Sequence, residues 1–455
     1  MSPELISIYV LVAMFVIASW LPINLGVLAL AAAYLVGGLV GGLGPDDIFG
    51  GFPSKLFILL VGVTYLFAIA QTNGTVEWLI DRGVGLVRGR LAFIPWLMYG
   101  LTALLAAMGA LAAAALACVA PIALRFAARH SINPLMMGIM ICLGSVGGSF
   151  SPISPFGVIT DGVLAEADLP RSPGLLFINN LAFSAVTALV VFLALGGVGL
   201  WKRGKVDAGP VDPTEEGPDH GEYGGPSTGS SSGSAGSGPV AAVAANPQRV
   251  DSHAPSTRIN RAQAMTLTGI LALVVGALVF GLDVGLLAIV ISVPLTLFAT
   301  DRAAEAVQKV PWSVVLLIGG MLTYVGVLEH VGTLDYVGNL INQSGSPLFA
   351  ALALCFVGAL ISAFAATAGV LAATIPLAVP VLMTHDLSVI GTVTALAIAS
   401  TLVDSSPMST NGALLLANQQ TLPERVFFRR LLVWAVLTVV AGPPLVWLVF
   451  VVLGG

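Results

Sequence analysis

Two polar stretches decide how this chain can fold: GGSFSPISPFG at Gly147–Gly157, and Asp404 followed by SSPMSTNG at Ser405–Gly412. Each lies in an apolar segment of membrane-spanning length and combines Ser, Pro and Gly, which interrupt helices. Unpaired backbone groups are costly in lipid, so an interruption is tolerated only where protein or a wet cavity surrounds it. Matching interruptions in two halves of a chain indicate the binding site of a transporter.

The composition around these stretches is that of a polytopic membrane protein. Of the 455 residues, 57% are hydrophobic and 9% are charged, whereas a soluble domain has about 25% charged residues. The scattered basic residues exclude a nucleic-acid surface. Cys118, Cys142 and Cys355 stand singly in apolar segments, which predicts packing roles and no disulfide framework or metal site. The N-terminus lacks the basic region of a signal peptide and is expected to form the first spanning helix.

Apolar runs predict the spanning helices. In the first half they cover residues 4–21, 24–43, 54–72, 134–165 and 174–200, with an interfacial amphipathic piece at Thr75–Arg90. In the second half they cover residues 264–281, 284–300, 311–329, 387–420 and 428–453, with an amphipathic stretch at 333–345. Residues 202–262 are rich in Gly, Ser and Pro and are predicted to form a disordered linker.

Two long Ala-rich regions, Leu91–Arg129 and 347–385, leave two interpretations open. Each is either one crossing with a tail or a pair of half-length helices that enter the membrane and return. Their length, about 38 residues, suits the pair of short helices better than one span of about 20 residues.

The two halves repeat each other. Pro53 and Gly62 correspond to Pro311 and Gly320. Further on, at one constant offset, the two interruptions correspond residue by residue: Ser151, Pro152, Ser154 and Gly157 match Ser406, Pro407, Ser409 and Gly412. Unrelated apolar helices would not keep Pro and Gly in step, so we predict an internal duplication.

The distribution of basic residues selects one topology. If both Ala-rich regions are hairpins, each half has five crossings, and the odd number inverts the second half. All Lys and Arg residues except Lys55 and Arg171 then lie on one side, which the positive-inside rule makes cytoplasmic. The predicted fold is therefore an all-α polytopic membrane protein. It has two inverted repeats, each with five crossings and one re-entrant hairpin, and broken helices at the midplane.

This topology divides the chain into a first repeat at 1–201, a cytoplasmic linker at 202–262 and a second repeat at 263–455. Both termini are expected outside the plasma (inner) membrane. Within the repeats, the scaffold helices are predicted at 1–90 and 263–345, the inner hairpin with its broken helix at 91–200, and the outer hairpin with its broken helix at 346–455.

The candidate binding groups are the hydroxyl, amide and backbone groups at the two interruptions. Half-helix N-termini favour anions, and half-helix C-termini with unwound carbonyls favour cations. Because no Lys or Arg lies in a membrane core, we expect neutral donors to hold a small anion. The predicted substrate-binding residues are Ser149, Ser151, Ser154, Gly157, Ser406, Ser409, Thr410, Asn411, Gly412 and Thr367.

Asp404 is the strongest single candidate for a functional residue, because an acidic side chain within a membrane segment indicates function. Its counterpart in the first half is Ser149. It either binds a coupling cation, carries a proton, or caps a helix beside a wet pocket. The predicted coupling-ion residues are Asp404, Ser405, Ala112 and Thr367, with sodium or a proton as the ion and no other cofactor or metal. The sequence contains no HExxH motif, nucleophile elbow or phosphate-binding loop, so no enzyme activity is predicted.

The run GFPSKLFILLVGVTYLFAIAQTNGTVEWLIDR (Gly51–Arg82) resembles the N-terminal domain of MatC-type dicarboxylate (malonate) carriers. The whole layout is similar to the wider ion-transporter superfamily that includes the divalent-anion/sodium symporters. This resemblance implies a homodimeric elevator transporter with a fixed scaffold and a moving domain of hairpins and broken helices. It also implies a dicarboxylate substrate and often sodium coupling.

One difference from those symporters concerns the hairpin tips. Theirs carry a Ser-Asn-Thr signature for sodium and carboxylate, whereas the matching positions here read Leu111-Ala112-Ala113 and Ala366-Thr367-Ala368. Carboxylate recognition is therefore expected to shift to the serines of the interruptions and to hairpin backbone. Sodium and a proton on Asp404 remain alternative coupling ions.

The sequence thus predicts a secondary active transporter for a C3 or C4 dicarboxylate such as malonate or succinate. Its expected partners are the substrate, the lipid bilayer and a second copy of the chain. A cation/proton antiporter of the same superfamily is the alternative, although it would need further intramembrane acids. A membrane-embedded enzyme or a scaffold protein would need a catalytic constellation or a large soluble domain, and the sequence has neither.

Overall fold

A computed structural model describes residues 2–21, 23–86, 91–203, 259–298, 303–334, 336, 339, 346–363, 367–384 and 387–454. Over these ranges the chain is helical and has no strand. Residues 204–258 of the predicted linker lie outside the described residues, as do Ala366 at the second hairpin tip and most of the amphipathic stretch at 333–345.

The first half supplies eleven helices in its described ranges. They are α1 (Pro3–Trp20), α2 (Leu25–Leu39), α3 (Pro45–Gly50), α4 (Ser54–Thr72), α5 (Thr75–Leu86), α6 (Ile94–Ala107), α7 (Ala112–Arg129), α8 (Pro134–Gly148), α9 (Pro155–Glu166), α10 (Pro173–Ala194) and α11 (Gly197–Lys202).

The second half repeats this order in its described ranges. Its helices are α12 (Arg261–Phe280), α13 (Val284–Leu297), α14 (Ala303–Lys309), α15 (Trp312–His330), α16 (Pro347–Ser362), α17 (Thr367–Thr384), α18 (Val389–Leu402), α19 (Thr410–Asn418) and α20 (Glu424–Trp447).

Six helical stretches in the described ranges are long and apolar enough to span a membrane, which agrees with a polytopic membrane protein. They are Ser54–Thr72, Ala112–Arg129, Pro173–Ala194, Trp312–His330, Val389–Asn418 and Glu424–Val452. Among the shorter apolar helices, α2 packs on α15 and α13 packs on α4.

Both Ala-rich regions form two helices each. In the first region, α6 and α7 pack against each other and are joined by a turn at Met108–Leu111. Gly109 in this turn has a φ of +107°, a conformation that glycine adopts without steric strain. In the second region, α16 and α17 pack together in the same way. Each region therefore contains two helices, and the re-entrant course through the membrane stays a prediction; α7, with 18 residues, is long enough to span a membrane.

Two predicted boundaries differ from the structure because local caps end or start a helix. The helix predicted at 174–200 ends at Ala194, since Gly196 turns the chain with a φ of +97° before α11. In the second half, α12 begins at Arg261, within the stretch predicted as linker. Its start is fixed by a capping box in which the Asn260 N–H donates to Gln263 Oε1 at 2.9 Å.

Scaffold helices of one half pair with those of the other half through glycines. On α2, Gly26 meets Gly320 of α15, and on α4, Gly62 meets Gly285 of α13. A Cβ added at any of these four positions would overlap backbone atoms of the opposite helix. Gly62 and Gly320 are the two glycines that the predicted repeat aligns, and each of them lies at a contact between a helix of the first half and a helix of the second.

Candidate functional site

The first interruption is a compact loop between α8 and α9. After α8 ends, the Ser149 Oγ donates to the Ser145 carbonyl at 2.7 Å, and the Ser154 N–H donates to the Ser151 carbonyl at 2.9 Å. The Gly157 N–H then donates back to the Ser149 carbonyl at 3.1 Å. Any side chain at position 157 would overlap the Ser151 carbonyl oxygen, so only glycine fits at this position of the loop.

Two serines of this loop differ in their surroundings. The Ser151 Oγ donates at 2.6 Å to the carbonyl of Ala107, the last residue of α6, and so ties the loop to the first hairpin. The Ser154 Oγ is fully buried and has no hydrogen-bond partner among the described residues. Because buried hydroxyls are nearly always paired, the unpaired Ser154 Oγ is an exception that keeps Ser154 a candidate ligand-binding residue.

The second interruption runs through a 3₁₀ turn, Val403–Ser405, and a loop to α19. The Ser409 Oγ caps α19 by accepting the Gly412 N–H at 3.2 Å, and it donates to the Ser406 and Asp404 carbonyls. The Ser406 Oγ accepts the Met408 N–H at 3.3 Å. The hydroxyls of Ser406 and Ser409 therefore hold the loop in shape.

Asp404 lies in a buried polar group that we call the Asp404 cluster: Asp404, Asn411, Thr367 and Ser362. The Asn411 Nδ2 donates to Asp404 Oδ2 at 2.9 Å. The Thr367 side chain lies near the same carboxyl, and its hydroxyl oxygen is 3.0 Å from the Ser362 Oγ. The Asn411 Oδ1 is buried without a partner among the described residues. The cluster joins the second hairpin, through Ser362 and Thr367, to the second interruption.

The Asp404 cluster has no counterpart in the first half. At the offset that aligns the two interruptions, Ser362, Thr367, Asp404 and Asn411 correspond to Ala107, Ala112, Ser149 and Phe156. All four positions are more polar in the second half, and a carboxylate is present there only. The second half therefore carries an acidic, oxygen-rich site that the aligned positions of the first half lack.

The other predicted site residues are dispersed. Ser405 accepts a hydrogen bond from Trp434 Nε1 of α20 at 2.8 Å, so its hydroxyl is engaged outside the cluster. Thr410 is exposed on the first turn of α19. Ala112 begins α7 and offers a buried methyl group in place of a polar side chain. Of the four predicted coupling-ion residues, the structure brings Asp404 and Thr367 together.

Helices from both halves bring the two interruptions into one assembly. The second helix of the first hairpin, α7, packs on α19, which follows the second interruption. The second helix of the other hairpin, α17, packs on α9, which follows the first. Cys142 of α8 lies beside Asn411 and near Asp404. Each hairpin thus packs on the helix that follows the interruption of the other half.

Sequence reasoning missed Ser362, Trp434 and the position of Cys142. Ser362 could have been found, because it aligns with Ala107 at the offset already established and stands five residues before Thr367. Trp434 and Cys142 contact elements that are far away in the chain, and no alignment or pattern in the sequence indicates these contacts. In the described part of the chain, no group of three or more His, Cys, Asp or Glu side chains could hold a metal ion.

Comparison with known proteins gives one family. Residues 1–149 match the model of the dicarboxylate carrier protein MatC N-terminus. This match confirms the resemblance of the chain to a MatC-type dicarboxylate carrier. It ends where the first interruption begins. A search of the curated proteins found no match to the chain.

Proposed function

We propose that this chain, whose first 149 residues match the N-terminus of a dicarboxylate carrier, is a secondary active transporter of a C3 or C4 dicarboxylate such as malonate or succinate. The family match supports a carrier of dicarboxylates and not an enzyme. The observation that carries the proposal is the pair of interruptions brought together by α7 and α17.

The first interruption supplies groups suited to a carboxylate. The Ser154 hydroxyl is buried and unpaired, directly before the start of α9 at Pro155. A helix N-terminus attracts negative charge through its free N–H groups. With α19 beginning in the same assembly, two such N-termini are available for the two carboxylates of one substrate.

Coupling to a cation is proposed at the Asp404 cluster. Carboxylate, amide and hydroxyl oxygens are the ligands preferred by hard cations, and the Asn411 Oδ1 lacks a partner. Sodium would use these oxygens directly, and a proton would use the Asp404 carboxylate alone. Because Ser362 and Thr367 belong to the second hairpin, occupancy of the site would hold this hairpin closed over the interruption.

Alternating access is proposed to follow an elevator mechanism in a homodimer, with two inverted repeats and two re-entrant hairpins. The glycine contacts of α2 with α15 and α4 with α13 support a rigid scaffold made of both halves. The hairpins and interrupted helices would then move as one body against it. The charge distribution supports a cytoplasmic linker and outward termini in the plasma (inner) membrane.

Uptake into proteoliposomes tests the proposal. Labelled malonate and succinate should enter saturably, and a sodium gradient or a pH gradient should accelerate entry above the rate in liposomes without protein. A panel of mono-, di- and tricarboxylates defines the substrate. Absence of uptake of every di- and tricarboxylate would contradict the proposal, and sodium–proton exchange without any carboxylate would establish the antiporter alternative.

A further inference from the structure

A groove of about 370 Å³ lies at one end of the bundle, away from the interruptions. Its five lining residues are Leu135 of α8 and Val426, Arg429, Arg430 and Val433 of α20. The volume is within the range of small-molecule sites in proteins, about 300–1,000 Å³. Two cations and three apolar side chains share its wall, and none of the lining residues is acidic.

The four residues from α20 form one helical face. Positions 426, 429, 430 and 433 are spaced i, i+3, i+4 and i+7, which places their side chains on the same side of a helix. Leu135 closes the groove from α8, whose start is fixed because Asn133 Oδ1 accepts the Leu135 N–H at 3.0 Å. The groove therefore has a defined wall on each side.

Within the described part of the chain, neither arginine of the groove is paired with an acidic side chain. Both side chains are exposed, and in the described ranges neither has an ion-pair or hydrogen-bond partner. Two adjacent guanidinium groups that have no carboxylate partner are suited to bind a phosphate. They can do so through charge-assisted, bidentate hydrogen bonds.

The apolar part of the ligand is indicated by the continuation of the same helical face. Beyond Val433, the next positions of this face are Val436, Leu437 and Val440, and all three are exposed. They lie in Glu424–Val452, which is long and apolar enough to span a membrane. Together with Val433, these three side chains form an apolar stripe that leads from the two arginines into the hydrocarbon region.

We propose that the groove binds an anionic phospholipid, with its phosphate between Arg429 and Arg430 and an acyl chain along Val433, Val436 and Val440. Basic pockets between membrane helices bind anionic lipid headgroups by the same chemistry. A soluble phosphate would use the arginines alone and leave the apolar stripe without a role, so the lipid accounts for both features. The site is separate from the interruptions and does not depend on which acid is transported.

The test measures lipid retention by the purified full chain. Native mass spectrometry after incubation with phosphatidylglycerol or phosphatidylcholine compares the wild type with the double variant Arg429→Gln/Arg430→Gln. Each arginine should contribute about fivefold to phosphatidylglycerol affinity, so the double variant should retain about 25-fold less. Arg425→Gln is the matched control, since Arg425 is on the same helix but does not line the groove, and its retention should equal that of the wild type.

Other outcomes overturn the proposal. Equal retention of phosphatidylcholine would show that the arginines do not select charge. Displacement of the lipid by glycerol 3-phosphate alone would show a soluble-anion site. Loss of dimer in the double variant would assign the groove to a second copy of the chain. If the double variant does not fold, Val433→Trp fills the groove from an exposed position, and retention of phosphatidylglycerol unchanged by this substitution equally overturns the proposal.

Discussion

Asp404 is the residue on which the chemistry of the site depends. It is 6% exposed and is the one acidic side chain in the buried set of the described residues. An acidic side chain in a membrane segment needs polar partners, and the Asn411 Nδ2 supplies one by donating to Asp404 Oδ2 at 2.9 Å. The Asn411 Oδ1, which remains unpaired, gives a cation an additional ligand. These contacts favour a coupling role for Asp404 over a purely structural one.

Asp404→Asn should uncouple transport. The substitution keeps the size of the side chain but removes the charge, and a hydrogen bond to a charged group is worth about 1.5–3 kcal/mol, or roughly tenfold or more in ion affinity. We expect malonate uptake to lose its response to a sodium or pH gradient. Asp161→Asn serves as the control, because Asp161 pairs with Arg171 at 3.4 Å in a partly exposed position. An unchanged response in Asp404→Asn would assign Asp404 a structural role.

The site was predictable from sequence where polarity breaks an apolar run. Asp404, Asn411 and Thr367 stand out for this reason, and the structure places them together. Ser406 and Ser409 stood out equally, yet their hydroxyls bond to the loop backbone. A serine at an interruption has the same pattern whether it caps a helix or faces a ligand, so sequence cannot separate the two roles. Substrate binding by these two residues stays a prediction.

At the level of elements, α6 and α8 pack closely through glycines. Gly144 and Gly148 lie one helical turn apart, and a Cβ on either would overlap the carbonyl oxygen of Tyr99 or Ala103. Such small-xxx-small patterns let helix backbones pack closely in membranes, where the hydrophobic effect does not drive association. The first hairpin is therefore fastened to the broken helix along its length and again at Ser151.

Gly148→Ala should destabilise the protein because the added methyl group cannot fit against the Ala103 carbonyl. Overpacking of this kind costs about 1–3 kcal/mol, so a lower midpoint of thermal unfolding in detergent is expected. The control is Gly100→Ala on α6, where a Cβ meets nothing within 4 Å. There the gain in helix propensity, about 1 kcal/mol, should leave the midpoint unchanged or higher. Equal midpoints for the two variants would contradict the close packing.

The positions of the helices were easier to predict from the sequence than the contacts between them. The run at 54–72 matches α4 residue for residue, because length and hydropathy are local properties. The end of α10 was predicted too late in the chain, because glycines also occur inside apolar helices and Gly196 could not be distinguished from them in the sequence. The contact of Gly26 with Gly320 joins residues nearly three hundred positions apart, and only the fold reveals it.

At the scale of the whole molecule, the pairing of α2 with α15 and of α4 with α13 distinguishes the proposed fixed scaffold from the part proposed to move. The scaffold helices α2, α4, α13 and α15 hold each other through backbone contacts that a side chain would disrupt. By contrast, the interrupted helix α9 meets the scaffold helix α4 through a side chain where Leu56 contacts Gly162. Side-chain contacts of this kind can slide, whereas interlocked backbones cannot. An elevator would therefore move along the surface between α4 and α9.

Leu56→Cys/Gly162→Cys should lock this surface. A Cβ built on Gly162 lies 2.9 Å from Leu56 Cγ, so the two Cβ atoms are at most one C–C bond further apart, within reach of a disulfide. In a parent chain with Cys118, Cys142 and Cys355 replaced by alanine, oxidation should abolish malonate uptake and a reductant should restore it. Leu56→Cys alone, and Gly162→Cys combined with Leu56→Ala to give the new side chain room, should transport like the parent under both conditions. Full uptake by the oxidised double variant, with the crosslink verified by mass spectrometry, would mean that α9 does not move against α4, and the elevator mechanism would have to be given up.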